Sequence, residues 1–207
     1  MLDRWCALVD RVTVTPGHDA ARAVFDDLYT RYTAADRRYH GFHHIEDCLQ
    51  LFDAVSALAS QPDAIELAIW FHDAIYDSHK SDNEASSARL ADSALMQLGV
   101  PRATTQSVCN LILATQHNAP PADRDAALLV DIDLSILGQP APIFDAYEVG
   151  VRFEYAWVPE SAFRAGRSKV LQSFLDRTRI YTTDYFSAAF ESAARQNLNR
   201  SLAKLSG

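Results

Sequence analysis

The chain has 207 residues, of which 48% are apolar and 22% charged; these proportions are those of a globular protein and exclude a disordered or fibrous chain. Nineteen basic residues against 27 acidic ones leave a net charge of −8, which argues against a nucleic acid as partner, because phosphate backbones call for clustered Lys and Arg. A small phosphorylated substrate, needing only a few cations in a pocket, stays open.

A chain of this length can bury about 70% of its unfolded surface, so residues 1–207 are expected to form a single domain without staples. No run approaches the length of a membrane span. The N-terminal stretch MLDRWCALVDRV carries charges inside its apolar run, unlike a secretory leader, so a cytoplasmic protein is expected. Cys6, Cys48 and Cys109 are odd in number and lack a C-x-x-C spacing, which reads as small buried hydrophobes rather than disulfides or a zinc ribbon.

Apolar residues recur every three or four positions almost throughout, and period-2 runs bounded by turns are missing, so the fold class is all-α, a bundle of eight or nine helices. The first expected helix covers about 18–35 and the second about 42–59. Pro62 opens a third, to about 77. Ser81-Asp82-Asn83-Glu84 fits a capping box and starts a fourth, which ends at Gly99 before Pro101. A fifth spans about 102–116 and a sixth about 124–137, up to Gly138. The seventh covers about 142–156, the eighth runs from Pro159 to about 176, and the last occupies about 183–205.

Three apolar helical segments contain His or Asp: Tyr39-His40-Gly41-Phe42-His43-His44-Ile45, Ile69-Trp70-Phe71-His72-Asp73-Ala74-Ile75-Tyr76-Asp77, and Leu128-Leu129-Val130-Asp131-Ile132-Asp133-Leu134. The adjacent pair His72-Asp73 is expected to be largely buried. A buried carboxylate is costly unless paired or metal-bound, and a divalent cation shared with a neutral imidazole removes that cost. An ordinary His–Asp hydrogen bond would do so too. On a helix, Asp131 and Asp133 point about 200° apart. The neighbours of Asp133 at three and four positions, Leu129, Val130, Ile136 and Leu137, are all apolar, so Asp133 is expected to face the core as a ligand, with Asp131 as its supporting or polar-face neighbour. His40 and His44 share a face if the helix reaches back past Gly41; His43 points elsewhere. The order His … His-Asp … Asp offers four ligands from three helices and leaves positions for water and substrate.

At His44, His72-Asp73 and Asp133 the chain resembles the HD-domain superfamily of metal-dependent phosphohydrolases, an all-α family with that ligand order. The resemblance is to a bacterial subfamily of phosphohydrolases with unassigned substrate. It extends to Phe71–Asp77, Asn83-Glu84, Ala114–His117, Asp131–Gly138 and Arg152–Tyr155, nearly the whole chain. It implies a metal held by His44, His72, Asp73 and Asp133, with Asp73 also orienting the water. It implies His40 as general acid for the leaving oxygen, because Tyr39-His40-x-x-x-His44 is similar to the start of the metal site in cyclic-nucleotide phosphodiesterases. The glutamine and aromatic clamp of those enzymes is missing, so cyclic nucleotides are not implied. Homodimers, known among HD domains, are a further implied possibility.

Other residues have two readings. Glu84 is a base or a supporting partner under the resemblance, or only part of the capping box with Asn83. Asp77, four after Asp73, could share its face. His117 is a second-metal ligand, a phosphate contact, or an imidazole at a helix C-terminus. Arg152, beside Glu154 and Tyr155, suits phosphate recognition, as do Arg164, Arg167 and Lys169, although i, i+4 pairing explains each of them. The substrate-binding set is therefore His117, Arg152 and Tyr155, and the catalytic set His40, Asp73 and Glu84.

The expected function is hydrolysis of a small, nucleotide-like phosphoester or phosphoanhydride. One or two divalent ions per chain, from Mn, Mg, Fe, Co, Ni or Zn, would acidify the attacking water; mixed N/O ligands favour a transition metal over magnesium. Two rivals remain: a di-iron oxygenase on the same scaffold, for which His117 is the one obvious extra ligand, and a metal-binding module without catalysis, against which the intact His40 argues.

Overall fold

The computed structural model describes residues 1–14 and 17–207. Among these the chain is all-helical: α1 (Leu2–Val12), α2 (His18–Tyr32), α3 (Phe42–Val55), α4 (Pro62–Phe71), α5 (Asn83–Gln97), α6 (Arg102–Ala114), α7 (Arg124–Asp133), α8 (Ala141–Glu154), α9 (Glu160–Leu175) and α10 (Asp184–Ser206), with 3-10 turns at Ser56–Leu58 and Leu134–Gly138. Ten α-helices thus replace the eight or nine expected. Two compact units result, Met1–Val130 and Asp131–Gly207, with the division falling inside α7.

In the first unit α4 is the core. All eight residues from Ala64 to Phe71 are buried, so it is packed all round, against α1, α3, α5 and α6. The sequence reading passed over α1. Its Trp5 is fully buried, with its ring edge-on to Trp70 at 5.6 Å and its indole N–H donating to the Ala21 carbonyl at 2.7 Å. Arg4 and Arg11 both reach the buried Glu66 of α4, at 2.6 and 2.8 Å. Two of the charges inside its apolar run are therefore what fastens this helix. Asp125, in the first turn of α7, accepts from the backbone N–H groups of Ser60 and Gln61 at 2.7 and 2.8 Å and so caps the start of α4. Gly99 turns the chain after α5 with φ 81°, the left-handed backbone that glycine adopts without strain.

Several boundaries differ from expectation. α3 gives way to a 3-10 turn after Val55. α4 ends at Phe71 rather than near 77, because side chains hold the following backbone outside a helix. Arg37 takes the carbonyls of Asp73 and Ala74. Ser87 takes both the N–H and the carbonyl of Ile75. Asn83 takes those of Asp77. Asn83 is thus a clamp on this segment; α5 has Asp82 at its N-cap with no side-chain cap bond, so the Ser81 capping box does not form.

In the second unit, α10 packs on α9 and on the 3-10 turn Leu134–Gly138. A Cβ on Gly138 would come within 2.6 Å of the Phe190 Cβ, so only glycine permits that approach. Asn197 donates to the carbonyls of Leu137 and Gln139, and the half-buried Arg167 pairs with Tyr147 and Glu148.

Candidate metal centre

His44 lies in the first turn of α3, facing inward at 4% exposure, while its neighbour His43 is exposed. His72 directly follows α4 and is 1% exposed. The two Nε2 atoms stand 3.2 Å apart. The Asp73 carboxylate lies 3.3 Å from Nε2 of His72 and 3.8 Å from Nε2 of His44.

His72 Nδ1 sits 2.9 Å from the Ile69 carbonyl. A carbonyl only accepts, so Nδ1 carries the proton, and in the neutral ring Nε2 presents a lone pair. That lone pair faces another imidazole nitrogen and a carboxylate oxygen. Such a cluster calls for a proton or a cation at its centre. Nitrogen and oxygen ligands at about 2.0–2.2 Å from a transition metal stand roughly 3.0–3.4 Å from each other; two of the three separations here, 3.2 and 3.3 Å, fall in that range and the third is 3.8 Å. The donor set, two imidazoles and a carboxylate, is borderline in softness and fits a first-row transition metal.

Asp133 ends α7. One ligand atom each from His44, His72 and Asp133 gives a group whose members all lie within 4.8 Å of one another, an arrangement that could hold a metal ion. The choice of Asp133 over Asp131 agrees with this, but the reason given for it does not. Asp131 is the fully buried residue, and Asp133 is only half-buried. Asp131 accepts from the N–H groups of Thr182 (2.9 Å) and Thr183 (2.7 Å) and from the Thr183 hydroxyl (2.7 Å). Burial raises its pKa and these bonds oppose the rise. It fastens the start of α10 and is structural.

His40 lies in the bend before α3, since Gly41 is the N-cap and the helix does not reach back. The expected shared helical face therefore does not exist. The bend nonetheless places the His40 ring 6.4 Å from the His44 ring, stacked on Tyr76 at 4.1 Å. Arg37, Tyr32 and Tyr76 escaped the sequence reading. Arg37 falls in the run Asp36-Arg37-Arg38, which looks like a solvated turn; its neighbour His40 was the one available hint.

With α4 ended at Phe71, the four-residue spacing that placed Asp77 beside Asp73 has no meaning. Asp77 accepts instead from the backbone N–H of His79 and contacts its ring, and these bonds lower its pKa. Glu84 is half-buried in the first turn of α5, where the helix dipole favours a carboxylate. His117 is half-buried just beyond α6 with φ 56°, a left-handed position unusual for histidine. Arg152 spends its donors inside the second unit, on the carbonyls of Tyr155 (2.7 Å) and Val158 (3.3 Å) and on Glu160 (3.0 Å). Tyr155 directly follows α8 as its C-cap, its ring near Phe163. Arg164 likewise caps α10 through the Leu205 and Lys204 carbonyls.

None of the three cysteines forms a disulfide; Cys48 and Cys109 are buried and Cys6 is half-buried. Among the described residues no single helix is long and apolar enough to cross a membrane. No family model matches the chain, and no curated protein or solved structure matches it either.

Proposed function

We propose that the protein is a metal-dependent phosphohydrolase of HD type, acting on a small phosphoester or phosphoanhydride of nucleotide-like character. The observation that carries the reading is the convergence of Nε2 of His44, Nε2 of His72 and the Asp73 carboxylate, with the His72 proton already committed to Ile69. Asp133 supplies the fourth ligand. A divalent cation held there would act as a Lewis acid on the phosphoryl group and bring the pKa of a water toward about 7.

The chain's own residues divide the remaining work. His44 and His72 are buried, which keeps their imidazoles oriented. Asp73, at 15% side-chain exposure, reaches solvent while the two imidazoles do not, so it orients the attacking water. His40 is half-buried beside the set and gives its proton to the departing oxygen. Arg152 donates to Tyr155, Val158 and Glu160 within its own unit, which supports a structural role for it.

The test is turnover of a phosphoester panel, including nucleoside mono- and triphosphates and p-nitrophenyl phosphate, by the manganese-loaded protein. His40→Ala should keep its metal and lose about 10²–10⁴-fold in rate, the usual contribution of a general acid. An inactive metal-loaded wild type, or a His40→Ala variant at the wild-type rate, would overturn the reading.

A further inference from the structure

Arg37 belongs to none of the residue sets above, yet it touches both segments that make the centre. It lies in the connection between α2 and α3. Its guanidinium is 5.2 Å from the Tyr32 ring centroid and 5.7 Å from that of Tyr76. Nη1 donates to the carbonyl of His40 at 3.1 Å and to that of Asp73 at 2.6 Å, and Nη2 donates to the carbonyl of Ala74 at 3.0 Å. One planar group therefore ties the bend carrying His40 to the turn carrying His72 and Asp73. Tyr76 closes the arrangement: the ring beside the guanidinium is the same ring on which the His40 imidazole stacks, at 4.1 Å and 24°. Tyr32 is fixed in turn, since its buried hydroxyl donates to the Trp70 carbonyl at 3.1 Å.

We propose that Arg37 is a positioning residue that sets the His40 imidazole against the His44–His72–Asp73 cluster by joining the His40 carbonyl to those of Asp73 and Ala74. Sequence distance makes such a tie necessary. His40 and Asp73 sit in irregular backbone beyond the ends of α3 and α4, where no helical ladder fixes one to the other. The guanidinium suits the task because it is planar, stacks on rings and offers a rigid fork of donors; a lysine ammonium supplies the charge without the plane or the fork. A residue that merely satisfied the carbonyls after α4 would have no need of the His40 contact.

The effect on rate rests on the phosphohydrolase reading; the geometric effect does not. The experiment therefore reads both on Arg37→Lys. The first readout is the His40 Cε1–H NMR resonance in metal-free protein, assigned by its loss in His40→Ala. Stacking on Tyr76 should displace it upfield in the wild type, and Arg37→Lys should move it toward the value of a solvated imidazole. The second readout is steady-state kinetics. Arg37→Lys should lower kcat about 10–100-fold with KM within about twofold, and the double variant with His40→Ala should be no slower than His40→Ala alone, since the arginine acts through that histidine. An unmoved His40 resonance in folded Arg37→Lys overturns the proposal, as does a rate loss that adds in full to that of His40→Ala. If the wild type hydrolyses nothing, the phosphohydrolase reading fails and the resonance alone decides on Arg37. Should Arg37→Lys not fold, Arg37→Gln, which keeps a planar amide, takes its place in the same measurements.

Discussion

His72 Nδ1 lies 2.9 Å from the carbonyl of Ile69, three residues earlier in the chain. That bond makes Nδ1 the donor, and in the neutral ring it leaves Nε2 able to take a metal. In the neutral ring with Nδ1 protonated, Nε2 turns a lone pair toward His44 and Asp73, a place suited to a shared proton or a metal. His44→Ala should therefore abolish the metal-dependent rise in melting temperature. In the wild type, metal at about 100 times its Kd is worth roughly 2.7 kcal/mol of stability. Thermal scans with and without Mn²⁺ or Zn²⁺ check this; a His44→Ala variant that keeps the full rise would remove His44 from the site.

Asp131 and Asp133 should separate cleanly on substitution. Asp131→Ala removes three hydrogen bonds to Thr182 and Thr183 and leaves their donors unmet at the start of α10. The expected loss is about 2–4 kcal/mol, read by denaturant unfolding, with metal still bound at low temperature. Asp133→Ala should do the reverse, weakening metal with little change in metal-free stability.

Trp5→Ala tests the docking of α1. The indole is fully buried, packs edge-on to Trp70 and donates to Ala21. Truncation should cost about 3–5 kcal/mol, visible as a lowered urea midpoint. A change under about 1 kcal/mol would mean that α1 is dispensable to the first unit.

Arg152→Ala should leave KM for any phosphorylated substrate within about twofold. Its guanidinium bridges the end of α8 to Glu160 and lies over the Phe163 ring at 4.6 Å. The expected cost is about 1–2 kcal/mol of stability. A KM raised tenfold or more at a temperature where the variant is folded would return Arg152 to the substrate site.

The helices were largely legible because apolar spacing reports burial directly, and α4, with eight consecutive buried residues, is the strongest such signal. α1 was passed over because its charges were weighed only against a leader, although Arg4 and Arg11 mark the face that pairs with Glu66. The pair His72-Asp73 could be picked out because a histidine and an aspartate interrupt a wholly apolar run. The C-terminal end of α4 could not be read. It depends on Arg37, Asn83 and Ser87 meeting backbone groups 36, 6 and 12 positions away, and such bonds leave no periodic pattern. The burial of Asp131 was hidden for the same reason, since its partners Thr182 and Thr183 are some fifty positions away. His40 was linked to His44 by helical spacing, yet the bend fixed by Arg37 is what brings the two together.

The central claim, that this cluster is a metal centre, is most directly tested by elemental analysis of the protein purified without added metal, expressed per mole of chain. The account predicts one or two equivalents of a transition metal in the wild type and less than about a tenth of that in a His44→Ala, His72→Ala double variant. Absence of metal from the wild type, together with no uptake and no rise in melting temperature on adding Mn²⁺ or Zn²⁺, would contradict it and leave His44, His72 and Asp73 as a buried hydrogen-bonded cluster holding a proton.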